Sequence, residues 1–361
     1  MNISYLSCQD RYCGLGQYTE NLAIASNSQG ASVKAYRKDH SDGHLFKAYP
    51  YRSFKKLRPY VAPYYLSKAI ASDHADIWQA DYVDAAMAAI MAGKRDNLFV
   101  TIHDAIPFVH GNNSAAFRYY QWQLERANRH AQAIIVVSNH AKKEVIKHTT
   151  INPDRIHVVH NGINHQVYQP VTHSNSSSTN DNESEEFVVR YLGGLGAPHK
   201  NAMALLHTAK LLQQARQDVR FEIGGHLPEN HRLRIAAKEM QLDNLVFKGF
   251  IKDDEMTSFY QGADLFFFPS LLEGFGFPPL EAMACGTPAL VSDIPVLRET
   301  LGTAACFAHP TPEDFADAIL SMKRNTLLRS ELALAGIKQA QKYTWDKAAK
   351  QMKELYLSAV D

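Results

Sequence analysis

The sequence predicts an α/β protein built from two doubly wound, Rossmann-like domains. Short apolar runs typical of buried strands recur along both halves of the chain, and several lead directly into glycine turns and helices. A polar stretch at residues 171–186 separates the two halves. At 361 residues, the chain is long enough for two domains that each bury a core of their own.

Composition narrows the functional class. Hydrophobic content of 45% and charged content of 21% are typical of a soluble globular protein, and a net charge of +1 gives no general attraction to nucleic acid. The 17 histidines show no metal-site spacing, so we expect no metal. The four cysteines lack a disulfide pattern, which predicts reduced thiols and a cytoplasmic protein. No window approaches the roughly 20 apolar residues of a membrane span.

The N-terminal domain is predicted to span residues 1–170 and to begin with a strand at residues 1–6. Gly14 and Gly16 follow in a glycine turn that leads into an amphipathic helix. A dinucleotide-binding fingerprint would need a third glycine, but a Tyr-Thr pair occupies residues 18–19 instead. The sequence therefore argues against a dinucleotide site here.

Residues 52–68 form a basic and aromatic stretch with no acidic residue. A solvated helix face with a few inward tyrosines would explain the pattern. A surface that contacts anionic lipid head groups, or a lipid-diphosphate acceptor, would explain it as well. The sequence leaves both interpretations open. The basic residues are Arg52, Lys55, Lys56, Arg58 and Lys68.

Three further strands are predicted at residues 76–80, 98–102 and 133–137. Ligands of open α/β sheets bind outside the carboxyl ends of the strands, so the polar residues that follow each strand are candidates for a site. His103 follows the second of these strands, although a single histidine in such a place is usually structural. Ser138 follows the third, where it could equally be a helix N-cap.

The link between the domains is predicted from composition. Residues 172–186 contain no apolar side chain and cannot bury a core, so we expect residues 171–186 to be a mobile linker. The second domain is predicted over residues 187–342, and its first strand leads through Gly194 to Lys200 at the start of a helix. An ammonium group beside the backbone N–H groups of a helix start suits a diphosphate. A lysine that binds no anion is disfavoured there, because the N-terminal end of the helix dipole is positive.

Residues 264–286 organise the second domain. An aromatic run at residues 264–269 is predicted as a buried strand, and Gly274 and Gly276 then let the backbone curl close to a ligand. Two prolines at 278–279 set the start of a helix. Strand, glycine turn and helix N-terminus together form the arrangement that holds phosphate in nucleotide-binding folds.

Two carboxylates, Glu273 in the loop and Glu281 in the predicted first helical turn, bracket this segment. A carboxylate beside a phosphate would repel it, so the two side chains are expected to accept hydrogen bonds from hydroxyl groups. A glutamate in a first helical turn can also simply complement the helix dipole. The residues alone leave these alternatives open.

The segment resembles the E-x7-E signature of retaining family-4 glycosyltransferases, including mannosyltransferases of bacteria, and the match continues without a gap from Asp264 to about Glu299. This resemblance implies the GT-B fold, in which two Rossmann-like domains face each other across a cleft. It further implies a nucleotide-diphosphate sugar as donor, no metal or other cofactor, and a C-terminal helix at residues 343–361 that crosses back onto the first domain.

The resemblance also implies roles for individual residues. Glu273 would hold the donor sugar together with the backbone of Phe275 and Gly276, and Glu281 would hold the ribose hydroxyls. Lys200 would stabilise the departing diphosphate.

Four further positions take their roles from the same resemblance. Gly14 and Gly16 would lie between acceptor and donor diphosphate, and His103 would contact the transferred sugar. Phe250 and Ile251 would belong to the turn that binds the nucleobase.

One departure from the family pattern concerns the diphosphate. The family usually carries an arginine early in the loop before the lysine, or directly before it, and these positions are Gly194 and His199 here. Backbone amides near Gly194 and the side chain of Lys200 would then stabilise the negative charge of the diphosphate. A sugar-nucleotide epimerase or hydrolase, or a non-catalytic partner subunit, could use the same scaffold, and the missing arginine favours the last of these.

The sequence thus predicts a retaining hexosyltransferase of polysaccharide or glycoconjugate synthesis. The loop at residues 273–277 is most similar to that of mannose-using relatives, which makes GDP-mannose the first choice of donor. A glycan or lipid-linked molecule is the expected acceptor, and no nucleic acid is expected as a partner. The expected location is the cytoplasm, at the inner face of the membrane if residues 52–68 contact anionic lipid.

Overall fold

The computed structural model describes residues 1–9, 13–38, 41–51, 58–110, 114–170 and 186–360. Contacts divide the chain into two compact units, here called unit 1 (Met1–Gly162 with Tyr343–Asp361) and unit 2 (Ile163–Lys342). The predicted linker at residues 171–186 lies outside the described residues except for its last position, and so do residues 52–57 of the basic stretch.

The boundary falls earlier than the sequence analysis placed it, because residues 163–170 belong to unit 2. The side chains and backbone of residues 163–170 contact residues of unit 2. The ring of Tyr168 packs edge-on against Tyr260 with 5.9 Å between centroids. The hydroxyl of Thr257 donates to the carbonyl of Val167 at 2.7 Å. Burial of Tyr168 therefore decides where the first domain ends.

Unit 1 contains a seven-stranded sheet in the order β3-β2-β1-β4-β5-β6-β7, and every pairing is parallel. The central strands are apolar because helices cover both faces of a doubly wound sheet. The strands are β1 (Asn2–Leu6), β2 (Ser32–Arg37), β3 (Phe46–Ala48), β4 (Ile77–Ala80), β5 (Leu98–Ile102), β6 (Ala133–Val136) and β7 (Ile156–Val158).

Unit 2 contains a six-stranded parallel sheet in the order β10-β9-β8-β11-β12-β13. The strand order reverses direction between β8 and β11, and ligands of such sheets bind outside the carboxyl ends at this point. The strands are β8 (Phe187–Leu192), β9 (Val219–Gly224), β10 (Leu245–Gly249), β11 (Leu265–Phe268), β12 (Ala289–Ser292) and β13 (Cys306–Ala308).

Helices connect the strands of both units. In unit 1 these are α1 (Gly14–Ser28), α2 (Arg58–Ile70), α3 (Val83–Met91), α4 (Ile106–His110), α5 (Ala115–His130) and α6 (Asn139–His148). In unit 2 they are α7 (Ala202–Gln214), α8 (Arg232–Glu239), α9 (Met256–Gln261), α10 (Phe277–Ala284), α11 (Pro295–Leu301), α12 (Pro312–Arg324) and α13 (Thr326–Ala340). The last helix, α14 (Trp345–Val360), returns to unit 1.

Buried polar contacts hold α14 in unit 1. The Tyr356 hydroxyl donates to Gln79 Oε1 on β4 at 2.9 Å, and its ring packs edge-on against Phe99 of β5. Gln79 Nε2 in turn donates to the Thr101 hydroxyl at 2.9 Å. These side chains are buried, so loss of one partner would leave an unsatisfied polar group in the core.

Candidate active site

The candidate site of unit 2 lies where its strand order reverses. Two loops meet there: the loop that follows β8 and carries Gly194 and Lys200, and the loop that follows β11 and carries Glu273. The carboxyl ends of neighbouring parallel strands share one edge of the sheet, so the topology brings together residues far apart in sequence.

Lys200 and Glu273 form a close ion pair in this place. Lys200 Nζ lies 2.6 Å from Glu273 Oε1, and the two side chains are only 19% and 10% exposed. The hydroxyl of Ser270, which is fully buried, donates to the same carboxylate oxygen at 2.7 Å. A lysine ammonium has three donors, so Lys200 can hold Glu273 and a second anion together. The site is therefore an anchored cation beside an anchored carboxylate.

The structure corrects the position of Lys200. It does not open a helix, because Pro198–Lys200 is a 3-10 turn and α7 starts only at Ala202, after Asn201 in the left-handed region with φ of 54°. The carbonyl of His199 accepts a hydrogen bond from Leu271 N at 2.7 Å. The lysine is thus fixed by the loop after β11 rather than by a helix N-terminus.

Two glycines are required by the geometry of these loops. A Cβ at Gly193 would lie 2.8 Å from the hydroxyl of Tyr191, a buried residue at the end of β8. Gly276 has φ of +93°, and a Cβ there would lie 2.7 Å from Leu297 Cδ2. At Gly194, by contrast, a Cβ would meet nothing within 4 Å. The position that lacks the family's arginine is therefore open.

The structure also corrects the position of Glu281. It is the fifth residue of α10, not part of the first turn, and only 6% of its surface is exposed. The Tyr260 hydroxyl donates to Glu281 Oε2 at 2.7 Å. Burial raises the pKa of this carboxyl from 4.5 to about 7, although the hydrogen bonds from Tyr260 and Tyr168 oppose the rise. A role in simple complementation of the helix dipole does not fit a buried side chain.

Phe275 and Gly276 are buried directly before α10, whereas the turn after β10 is more open. That turn begins at Gly249, which has φ of +76°. Ile251 is buried against the position of Gly224, and the side chain of Phe250 is 55% exposed. A flat, exposed ring at the edge of a sheet is suited to contact with a nucleobase.

His103 lies in unit 1, directly after β5, and is buried. Its Nε2 is 3.0 Å from the carbonyl oxygen of Asp81, so Nε2 must carry the proton and Nδ1 is left as the acceptor. Burial lowers the pKa of this imidazole from 6.5 to about 4, although the hydrogen bond to Asp81 opposes the fall. The side chain is consequently neutral at pH 7 and can accept a hydrogen bond from a sugar hydroxyl.

The glycines of the N-terminal segment lie within the helix rather than before it. Gly14 and Gly16 belong to the first turn of α1, so the segment predicted as a glycine turn is helical. Tyr18 of the same helix packs edge-on against His103 with 4.7 Å between ring centroids. Ser138 is an N-cap, since its hydroxyl accepts from Ala141 N at 3.0 Å.

Sequence reasoning missed several residues of the site in unit 2. The Ser270 and Tyr260 hydroxyls donate to Glu273 and Glu281, but each is an ordinary residue after a strand or within a helix. Only Ser270 carried a usable signal, since it lies three positions before Glu273, the first residue of the E-x7-E segment.

Among the described residues, no cluster of three or more His, Cys, Asp or Glu side chains is arranged to hold a metal ion. Within the same ranges, no helix combines the length and the apolar character that crossing a bilayer requires.

Two family models match the chain. The model for "Glycosyl transferases group 1" matches residues 175–355, and the model for "Glycosyltransferase Family 4" matches residues 12–167. Together with the two parallel α/β units, these matches define a glycosyltransferase of the GT-B type. The chain belongs to the glycosyl transferases group 1 family, and the predicted fold class is confirmed.

Curated relatives include bacterial mannosyltransferases. The chain is 29% identical over 261 residues to the serotype-specific mannosyltransferase WbdA of Escherichia coli, with 68% of this chain and 32% of that protein aligned. It is 27% identical over 218 residues to the O-antigen chain mannosyltransferase RfbU of Salmonella typhimurium, with 60% and 58% aligned. The aligned part therefore spans less than two thirds of either relative.

Solved structures share the fold over nearly the whole chain. The sucrose-phosphate synthase of Thermosynechococcus elongatus superposes with a TM-score of 0.82 at 18% identity, over 99% of this chain and 98% of that one. HepE of Anabaena, in complex with UDP and glucose, gives 0.75 at 19% identity, over 99% and 100%. WaaG, a glycosyltransferase involved in lipopolysaccharide biosynthesis, gives 0.74 at 15% identity, over 98% and 99%.

Proposed function

We propose that the protein is a retaining glycosyltransferase that moves a hexose from a nucleotide-diphosphate sugar to a glycan or lipid-linked acceptor in polysaccharide synthesis. The observation that carries the proposal is the Lys200–Glu273 pair, fixed by Ser270 at the edge of the sheet where the strand order reverses. One cation and one hydroxyl-accepting carboxylate side by side suit a diphosphate joined to a sugar.

Stabilisation of the negative charge on the leaving diphosphate would accelerate the reaction. The departing diphosphate gains negative charge, and Lys200, the loop amides near Gly194 and the positive end of the α10 dipole would stabilise it, as preorganised cations and dipoles do. The proposal requires no metal ion, because these groups already supply positive charge. Glu281 would accept hydrogen bonds from the ribose hydroxyls, and the neutral His103 would accept one from the sugar.

A front-face path is the proposed route to retention. A double displacement would need a carboxylate nucleophile in line with the anomeric carbon. Glu273 is already engaged by Lys200 and Ser270, and Glu281 by Tyr260, which supports a single-step path. An oxygen of the leaving phosphate would then take the proton of the acceptor hydroxyl as the new glycosidic bond forms.

Donor identity is proposed from the relatives. The names of WbdA and RfbU support a mannosyl group, and GDP-mannose is therefore the first donor to test. HepE binds UDP and glucose, which makes a UDP-sugar the competing donor. In a thermal-shift series with GDP, UDP, dTDP and ADP, the matching nucleotide should raise the melting temperature most, since only tight binding stabilises the folded state strongly.

A product assay tests the reaction itself. The protein would be incubated with the stabilising nucleotide sugar and a glycan or lipid-linked acceptor, and the anomeric configuration of the product determined. A glycosylated acceptor with the donor's configuration supports the proposal. An altered sugar nucleotide without a glycosylated acceptor indicates an epimerase or hydrolase. Nucleotide binding with neither product indicates a non-catalytic partner subunit, which the missing arginine at Gly194 would explain.

The protein is proposed to meet its acceptor at the cytoplasmic face of a membrane. The basic stretch at residues 52–68 would attract anionic lipid at about 1 kcal/mol per nearby basic residue, so attachment would be reversible and sensitive to salt. Only its last part, from Arg58 onward, lies within the described residues.

A further inference from the structure

Exposed aromatic side chains are concentrated on α2 and α5 of unit 1. Tyr60 is 46% exposed, Tyr64 49% and Trp122 42%. Tyr60 packs on Tyr119 with 4.3 Å between centroids and Tyr119 stacks on Trp122 at 5.6 Å, so these three rings form a connected row, and Tyr64 lies one helical turn from Tyr60. Single exposed apolar residues are normal on a protein surface, whereas a contiguous group marks an interaction site.

Each helix contributes a stripe of the same composition. Tyr60, Tyr64 and Lys68 are spaced by four residues along α2, and Tyr119, Trp122 and Arg126 by three and four along α5. Each stripe ends in a cation over a ring: Lys68 Nζ lies 5.6 Å from the centroid of Tyr64, and the Arg126 guanidinium 5.3 Å from that of Trp122. We call these six residues the aromatic patch.

The patch is not part of the core of unit 1. On α2 the buried positions include Ala62, Leu66 and Ile70, and on α5 they include Gln123, Leu124 and Ala127. At helical spacing the buried positions named on α2 lie opposite its exposed stripe, and those on α5 lie on the face next to its stripe. The rings of the patch are therefore turned away from the core that holds the helices in place.

The charge around the patch is positive. Helix α2 contains no acidic residue, while Arg118, Arg126 and Arg129 outnumber the single Glu125 on α5. The whole chain is nearly neutral at +1, so this excess is local. A surface that combines Tyr and Trp rings with Lys and Arg matches the interface of an anionic bilayer, where rings lie at head-group depth and cations meet lipid phosphates.

We propose that the aromatic patch docks unit 1 on an anionic lipid bilayer, with Trp122 and the two exposed tyrosines at head-group depth. A saccharide chain stacks on open ring faces, but Trp122 already stacks on Tyr119, and a cation lies over both Trp122 and Tyr64. Both cations would be attracted electrostatically to the phosphates of anionic lipid. The inference rests on the proposed function only for the choice of a lipid partner, and it adds α5 to the membrane contact proposed for residues 52–68.

The distribution of tryptophans permits a direct test. The chain has three, and Trp78 and Trp345 are only 4% and 8% exposed, so surface quenching reports Trp122. Vesicles of phosphatidylcholine alone, or mixed with phosphatidylglycerol, would carry brominated lipid chains that quench tryptophan on contact. We expect quenching only with the anionic vesicles. Lys68→Gln and Arg126→Gln should each weaken vesicle binding about fivefold at low salt, and Trp122→Ser should abolish the quenching.

Two matched changes on unit 2 serve as controls. Lys238 and Leu327 are exposed, so Lys238→Gln and Leu327→Ser should leave vesicle binding unchanged. Absence of binding to anionic vesicles at low salt would overturn the inference, as would binding that leaves Trp122 unquenched. A response of Trp122 to soluble mannan but not to vesicles would instead assign the patch to a saccharide. Stabilisation by nucleotide, measured on the same protein, tests the proposed function separately.

Discussion

Replacement of Glu281 by glutamine should change how the stability of unit 2 depends on pH. The carboxyl is buried, and its pKa is raised from 4.5 to about 7 by burial. The folded state therefore binds a proton that the unfolded state releases between these two values. Stability contributed by this group is fully present below pH 4.5 and is lost as pH rises to about 7. A shift of this size corresponds to about 3 kcal/mol, since one pKa unit is about 1.4 kcal/mol.

The experiment compares wild type and Glu281→Gln by urea unfolding at pH 5 and pH 8. All three tryptophans, Trp78, Trp122 and Trp345, lie in unit 1, so their fluorescence follows that unit, whereas far-UV circular dichroism follows both. Between the two pH values, unit 2 of the wild type should lose about 3 kcal/mol relative to the variant. The fluorescence transition of unit 1 should be the same in both proteins.

A surface change distinguishes this effect from a general loss of charge. Glu239 on α8 is exposed in the same unit, so Glu239→Gln should keep the pH dependence of the wild type. If Glu281→Gln and wild type lose stability equally between pH 5 and pH 8, then Glu281 does not titrate in this range. Its description as a buried, proton-binding carboxyl would then be wrong.

Further predictions concern the donor site and the polar segment. Lys200→Ala should reduce transfer by roughly 100-fold or more, the cost of losing one charge-stabilising group. Glu281→Ala should weaken nucleotide binding by about 1–3 kcal/mol. Glu273→Ala should instead impair transfer, and calorimetry should show that this variant still binds free nucleotide. Gly194→Arg should tighten diphosphate binding, because a side chain there meets open space and adds a second cation. Deletion of residues 174–185 should leave melting temperature and activity largely intact.

Each of these predictions has an outcome that contradicts it. Near-normal transfer by folded Lys200→Ala would mean that the diphosphate binds elsewhere, with Lys238→Ala as the matched surface control. Equal nucleotide affinity of wild type and Glu281→Ala would reverse the roles given to the two carboxylates. Unchanged or weaker binding by Gly194→Arg would show that this loop does not meet phosphate. A large fall in melting temperature after the deletion would show that the polar segment packs.

Local pattern was sufficient for much of the fold. Strand β5 has the limits that its apolar run predicted, and the glycine turn after β11 leads into a helix as expected. Strand β3 has only three residues and β2 carries charged side chains, so neither showed an apolar run and both were missed. Pairing with the core strands, rather than composition, makes these segments strands.

The candidate site, like the fold, was predictable from local sequence only in part. The sequence by itself singled out Lys200, Glu273 and Glu281, because a glycine turn between a strand and a helix is a local signal. Only the tertiary structure decided that Lys200 pairs with Glu273 across 73 positions, or that Tyr356 binds Gln79 across 277. Such contacts form when parallel strands bring their carboxyl ends to one edge or a helix returns to an earlier sheet. Their energies depend on distance and burial in space, which the order of residues does not contain.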